Sequence, residues 1–293
     1  MICWGVLSLW ISASASAAEK IRLLIVDGQN NHNWRIMTPP MKATLEKTGR
    51  FSVDVATTPD RNAPPEAWSA FRPDFSKYGV VLSNYNGQDW PEEVQRGLEK
   101  FVSAGGGLVI IHAANNPFPE WKAFNEMIGL GWRKADYGER VTVDDSGKQL
   151  RTAAGAGPGA GHGPQHAYPV IVRDPDHPIT RGMPREWMHV KDELYHGQRG
   201  PGLGMHILAT AYSAPEQKGT GAHEPMVWVI PFGEGRVFTC LLGHVMGEDA
   251  SGLRCVGFQT LMCRGSEWAA TGEVTLPIPK NFPTATEVSL AAE

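Results

Sequence analysis

Histidines and acidic residues at the ends of predicted strands are the residues of this sequence best suited to chemistry. His112 and His244 each follow a run of apolar residues, and Asp192 and Glu193 lie among aromatic and apolar neighbours, where a carboxylate needs a partner. An imidazole beside a carboxylate can transfer protons near neutral pH, because the carboxylate holds one tautomer of the ring. The predicted catalytic residues are His112, His244, Asp192 and Glu193.

A metal centre is a different interpretation of the same residues. His32, His112 and His244, with Asp192 or Glu193, would form a set of three or four ligands suited to a divalent metal such as zinc. No local metal motif such as His-Glu-x-x-His accompanies them. The structural alternative is that His112 caps its strand and bonds to nearby backbone, and that the acidic pair faces water.

Amide and aromatic side chains near the same strand ends predict a polar ligand. A hydroxyl both donates and accepts hydrogen bonds, so a polyol needs partners of both kinds. The predicted substrate-binding residues are Gln29, Asn30, Asn84, Asn86 and Tyr195.

The elements that must position these residues alternate as strand and helix up to about residue 130. The apolar runs 21–26, 51–56, 78–82 and 107–111 read as strands, and 38–48 and the segment from Pro91 read as helices. This order predicts an α/β fold with a doubly wound, mainly parallel, flavodoxin-like sheet. Inserted loops follow, then a C-terminal hairpin of 225–230 with 235–242, and a last helix over about 251–270.

The segment 153–164 consists almost entirely of Ala, Gly and Pro. Its glycines do not follow a strand in the spacing of a phosphate-binding loop, so we expect a mobile linker or lid. His162 and His166 beside it could bind a metal, although histidines in such loops are commonly solvated.

The N-terminus has the composition of an export signal. Ile2 to Ile11 is apolar and short, and a small-residue run with Ala15-Ser16-Ala17 follows it. We expect a signal peptide at 1–18, a domain at 19–276 and a weakly structured tail at 277–293, in a periplasmic or secreted protein. The cysteines of the expected mature chain, Cys240, Cys255 and Cys263, are odd in number and form no C-x-x-C pair.

Composition excludes two classes of partner. The net charge of −4 argues against nucleic acid, and the mean hydropathy of −0.27 argues against a membrane-spanning body. A small molecule is the kind of partner that the composition leaves open, and an oligomer is compatible with the sequence.

Several of these motifs together resemble the ThuA-like (trehalose utilisation) family of the class I glutamine amidotransferase-like superfamily. The segments that carry the resemblance are 101–112, Asp176-His177-Pro178-Ile179-Thr180, Asp192-Glu193-Leu194-Tyr195, 233–244 and Glu267-Trp268-Ala269-Ala270. In the superfamily, the strand that ends at His112 resembles the one whose elbow carries the nucleophilic Cys. Leu242-Gly243-His244 resembles the segment of the catalytic His.

The chain departs from the amidotransferase pattern at that elbow, which reads Ile111-His112-Ala113-Ala114 and has no Cys or Ser. Thiolate glutaminase chemistry is therefore excluded there. The family resemblance implies carbohydrate metabolism, with disaccharides, glycosides or keto-sugars as substrates. We expect a sugar-active hydrolase or isomerase/lyase; the alternative is a binding protein for a sugar or a metal, without turnover.

Overall fold

The computed structural model describes residues 19–245 and 247–292, in which a mixed β-sheet with flanking helices forms the α/β fold. The predicted signal peptide lies outside the described residues. The strands are β1 (Ile21–Asp27), β2 (Phe51–Thr57), β3 (Val80–Ser83), β4 (Gly107–Ile111), β5 (Glu139–Val143), β6 (Gln149–Thr152), β7 (Gly161–His162), β8 (His166–Val172), β9 (Glu186–Asp192), β10 (Tyr195–His196), β11 (Arg199–Gly200), β12 (His206–Ser213), β13 (Ala222–Phe232) and β14 (Gly235–Cys240). The α-helices are α1 (Trp34–Lys47), α2 (Pro65–Ala70), α3 (Glu92–Ser103), α4 (Lys122–Ile128), α5 (Ser251–Arg254) and α6 (Val256–Thr271).

Only one part of the sheet is parallel, so the prediction of a mainly parallel sheet was wrong. The strands β2-β1-β3-β4-β14 run parallel, whereas β14-β13-β12-β8-β9 are joined by antiparallel pairs, as are β5 and its neighbours. Parallel neighbours need a long crossover, usually a helix. No α-helix separates the strands from β5 to β14, and the pairs that these strands form with one another are antiparallel.

Helices cover both faces of the sheet around β13 and β14. Phe238 pairs with Val229 and packs against Gly265 of α6. The next pair along, Thr239 and Trp228, points to the other face. There the Trp228 indole donates to the carbonyl of Ile128 in α4. This double cover explains why β4 is apolar along its whole length and buried at every residue.

The parallel strands end at one edge of the sheet, and the loops that follow them meet there. These are the loops after β1, β3, β4 and β14, and they carry His32, Asn84, His112 and His244. The fold therefore brings together residues that are more than 200 positions apart in the chain.

The Gly-rich segment is held in place, unlike the mobile loop that we expected. The buried guanidinium of Arg199 donates to the carbonyls of Ala153, Ala156 and Pro158. These bonds fix the approach to β7, in which Gly161 and His162 pair with β10.

The C-terminal segment 277–292 also packs against the domain. Met188 donates to the carbonyl of Thr284, Val256 donates to that of Ser289, and Phe282 packs on Trp187. The predicted continuous helix over 251–270 is interrupted at Cys255, which is extended and bridges to Leu290 of this segment. A β-type bridge requires an extended residue, and the helix therefore breaks there.

The cysteines and the helices of the described residues each add one observation. Cys240, Cys255 and Cys263 are buried free thiols. Among the helices described, none has both the length and the apolar content needed to span a membrane.

Candidate metal centre

Four side chains meet at the carboxyl edge of the parallel strands. His32, His112, Glu193 and His244 each offer one ligand atom, and these atoms all lie within 4.8 Å of one another. The three histidines come from the loops after β1, β4 and β14, whereas Glu193 follows β9 of the antiparallel part. The cluster is buried except at His32, which is half-buried.

His112 stands in a backbone conformation that few side chains adopt. Its φ is +47°, in the left-handed region, where a residue other than glycine costs about 1–3 kcal/mol and persists only under strong constraint. Its Nδ1 lies 2.8 Å from the carbonyl oxygen of Leu241. A carbonyl only accepts, so Nδ1 carries the proton and donates. In a neutral His112, the lone pair is therefore on Nε2.

That Nε2 has no hydrogen-bond partner within the described part of the chain, although it is fully buried. It faces Oε2 of Glu193 at 3.6 Å, which is too long for a hydrogen bond. If His112 is neutral, two acceptors oppose each other in a buried site, and either a proton on Nε2 or a metal ion between the two atoms would remove that opposition.

The charges within the cluster match that need. Burial, and then the imidazoles of His112 and His244, lower the pKa of His32 to about 3. Burial also lowers the pKa of His244, and His112 adds to this shift. Burial alone would raise the pKa of Glu193, but the neighbouring histidines outweigh it and lower that pKa to about 2. At neutral pH, His32 and His244 are thus neutral imidazoles beside an ionised carboxylate.

Two of the separations are close to those between ligands of a shared ion. Nε2 of His244 lies 3.3 Å from Oε1 of Glu193, and Nε2 of His112 lies 3.6 Å from Oε2. Nitrogen and oxygen ligands at about 2.0–2.1 Å from a tetrahedral zinc are about 3.3 Å from each other. Imidazole and carboxylate donors suit zinc and other divalent first-row metals.

Asp192, the other predicted acid–base residue, lies behind the cluster. It is fully buried, and its carboxylate accepts from His189 and from the backbone amides of Glu193, Gly243 and His244. Burial would lower the pKa of His189, but Cys255 and Asp192 outweigh it and raise that pKa to about 10. Asp192 thus faces a buried imidazolium and backbone amides.

The predicted substrate-binding amides hold the loops around the cluster. Asn84 is buried and donates to Thr38, and Asn30 bonds both to Asn84 and to the backbone amide of His32. Gln29 donates to the carbonyl of Pro59 and accepts from the amide of Gln88. In the next loop, Asn86 donates to Asn31, whose own amide lies 3.1 Å from Nε2 of His32. These bonds fix the loop that carries His32.

Aromatic rings form the outer wall of the cluster. The buried ring of Tyr195 lies 4.4 Å from that of His112, and Trp132 meets Tyr195 edge to face at 4.7 Å. His162 places Nε2 3.4 Å from Oε1 of Glu193, and its side chain is 37% exposed. The cluster therefore meets solvent at His162 and His32.

Sequence reasoning missed Trp132, His189, Gln165 and Cys255, and it took His162 for a loop histidine. The amide of Gln165 lies 3.4 Å from Nδ1 of His244. The sequence did contain a signal for His162, because a histidine at the end of a Gly-rich segment can reach a nearby site. His189 and Cys255 had none, because neither stands at a predicted strand end.

The fold and the site together define a class of protein. It is an α/β protein in which three histidines and one carboxylate cluster at the edge of the parallel strands. The family model described as "ThuA: Trehalose utilisation" matches residues 22–269. The chain therefore belongs to the ThuA family.

Solved structures agree with this assignment. A ThuA-like protein from Parabacteroides merdae is 44% identical, with a TM-score of 0.88 over 93% of this chain and 98% of its own. A ThuA-like protein from Bacteroides uniformis, 17% identical, has a TM-score of 0.56 over 90% of this chain and 96% of its own, and shows the fold alone. No curated protein matches the chain.

Proposed function

We propose that this chain is a metal-dependent, sugar-active enzyme that acts on a disaccharide, a glycoside or a keto-sugar. The metal site is inferred from the buried Nε2 of His112. This atom faces the carboxylate of Glu193 and has no hydrogen-bond partner among the described residues. Family membership, with the printed description of trehalose utilisation, supports the substrate class.

The ligands follow from the cluster. His32, His112 and His244 would supply imidazole nitrogens, and Glu193 would supply the negative charge that offsets a divalent cation. When bound, such an ion polarises a carbonyl oxygen or activates water, which suits both hydrolysis and proton abstraction next to a ketone. The constrained backbone at the elbow holds the imidazole of His112 in one orientation, so this metal ligand is preorganised.

The substrate would enter where the cluster is exposed. Trp132 is half-buried, and His162 is exposed beside it, 5.9 Å away between ring centroids. An indole offers a flat apolar face, and an imidazole offers hydrogen bonds, which together suit the two sides of a sugar ring. Export to the periplasm or beyond is a further part of the proposal, and it rests on the composition of residues 1–18.

Metal analysis of the purified full-length protein, with zinc affinity measured by competition against a chromogenic chelator, tests the centre. We expect about one equivalent of a divalent metal, with zinc binding lost in His32→Gln. The matched control is His223→Gln, since His223 pairs with Asp145 outside the cluster. Wild-type protein that neither contains nor binds a divalent metal would overturn the metal centre.

A thermal-shift screen of disaccharides and their 3-keto forms tests the substrate class, because a ligand that binds only the native state raises the Tm. Trp132→Ala should abolish the shift and leave zinc affinity unchanged, whereas Trp68→Ala, a half-buried Trp of α2, should change neither. A stabilising sugar that the enzyme does not convert would favour the binding-protein alternative. No shift with any sugar would overturn the substrate class.

A further inference from the structure

A buried network behind the cluster connects Asp192 to the backbone of two metal-ligand candidates. Oδ1 of Asp192 accepts from the amide of Glu193 at 2.7 Å and from that of His244 at 3.2 Å. Oδ2 accepts from the amide of Gly243 at 2.9 Å and lies 2.6 Å from Nε2 of His189. One carboxylate thus fixes the backbone on both sides of the centre.

A β-bulge makes the bond between His189 and Asp192 possible. In a regular strand, residues three apart point to opposite faces. The register of β9 against β8 shifts between Tyr168↔His189 and His166↔Asp192, so that Val190 and Lys191 of β9 together oppose Ala167 alone. The extra residue turns both side chains to the same side, and bulges of this kind commonly re-aim a side chain next to a site.

His189 is itself held from behind. Its Nδ1 lies 3.2 Å from Sγ of Cys255, and both residues are fully buried. Cys255 is the extended residue that separates α5 from α6, and it bridges to Leu290 of the C-terminal segment. A buried carboxylate needs a partner of opposite charge or several donors, and Asp192 is surrounded by three backbone amides and the imidazole of His189.

The loop that Asp192 holds leaves little freedom to its residues. Gly243 has a φ of +101°, and a Cβ there would lie 2.6 Å from the ring of Phe258. The carbonyl of Leu241, two residues earlier, receives the Nδ1 bond of His112. The same loop thus positions His112 through its carbonyl and His244 through its amide.

We propose that Asp192 and His189 are positioning residues of the metal centre, which set Glu193 and His244 at ligand distance and take no part in coordination or proton transfer. This inference rests on the metal centre of the proposed function. It replaces the acid–base role that the sequence predicted for Asp192. Outer partners of metal ligands typically contribute about 10–100-fold to metal affinity.

Asp192→Asn and Glu267→Gln, compared on the full-length protein, test the proposal. Both variants neutralise a fully buried carboxylate that accepts backbone amides, but Glu267 bonds to Arg50, Thr275 and Leu276, away from the cluster. We expect both to lower the Tm of metal-free protein. Only Asp192→Asn should weaken zinc binding, by about 10–100-fold.

The outcomes separate this inference from the proposed function. If wild-type protein binds no zinc, the metal centre fails. If wild-type protein binds zinc and Asp192→Asn binds it within about twofold of wild type, or weakens it no more than Glu267→Gln does, the positioning role fails while the centre stands. Should Asp192→Asn not fold, His189→Gln leaves the carboxylate in place and is judged by the same two comparisons.

Discussion

Nε2 of His112 and Oε2 of Glu193 face each other at 3.6 Å in a buried site, although they come from opposite parts of the sheet. Nδ1 of His112 donates a hydrogen bond to the carbonyl oxygen of Leu241. The neutral form of His112 would therefore present a lone pair to a carboxylate, an arrangement that a divalent cation would stabilise.

Replacement of Glu193 by Gln removes that charge with little change of shape. We expect zinc affinity to fall by more than the about 10–100-fold that is typical of losing an outer partner, because a candidate ligand itself is lost. Chelator competition measures the change, with His223→Gln as the control. Retention of wild-type affinity in Glu193→Gln would remove this residue from the metal set.

Replacement of His112 tests both its ligand role and its strained backbone. Asn tolerates the left-handed region better than Ala, by about 1 kcal/mol. His112→Asn and His112→Ala should both lose zinc binding, and metal-free His112→Asn should be the more stable of the two. Urea unfolding of the two variants gives the difference. An Ala variant as stable as the Asn variant would contradict strain at position 112.

Stability in acid should depend on Glu267. Burial would raise the pKa of this carboxyl, but bonds from Thr275 and Leu276 outweigh it and lower that pKa below its ordinary 4.5. A carboxyl whose pKa is lower in the folded state stabilises the fold above the unfolded value, and that stability is lost as the pH falls through the folded value. Glu267→Gln should be less stable than wild type by about 2 kcal/mol at pH 7.

Unfolding measured from pH 7 down to pH 2 tests this expectation. The gap between wild type and Glu267→Gln should narrow below about pH 4.5, since protonation removes the wild-type charge. A gap that stays constant down to pH 2 would show that the stabilisation does not come from the ionised carboxylate.

Arg199 should hold the Gly-rich segment and, through it, His162. Arg199→Met keeps an unbranched side chain but leaves the carbonyls of Ala153, Ala156 and Pro158 without their donor. We expect faster proteolysis within 153–161 and a loss of about 3 kcal/mol in unfolding free energy. Arg96→Met, at an exposed ion pair, is the control and should change neither. Unchanged proteolysis in Arg199→Met would mean that other contacts order the segment.

Two histidines of the site could be found from the sequence because of how parallel strands are built. His112 and His244 follow apolar runs, and parallel strands end at the same edge of a sheet, so their meeting follows once both strands are parallel neighbours. His32 follows the first strand in the same way. The parallel pairing of β1 to β4 was likewise predictable, since helices alternate with these strands, whereas β14 follows β13 with no helix between them.

The second half of the sheet was not predictable in the same way. The short strands of 139–196 lack helices between them, and their partners depend on long-range packing. Glycine content suggested mobility at 153–164, but one buried arginine far along the chain holds that segment. The amides at Asn30, Asn84 and Asn86 had the composition of a ligand site, and only the structure shows that they also bond the two loops to each other.

By itself, the sequence determined the family, the α/β class and the edge at which three histidines gather, because these depend on local apolar runs and chain order. Only the tertiary structure decided between the adjacent carboxylates Asp192 and Glu193. A bulge in β9 aims Asp192 at His189 and at backbone amides, which leaves Glu193 to face the imidazoles. Neighbouring residues of a strand point in opposite directions, and register, which long-range pairing sets, decides which of them enters the site.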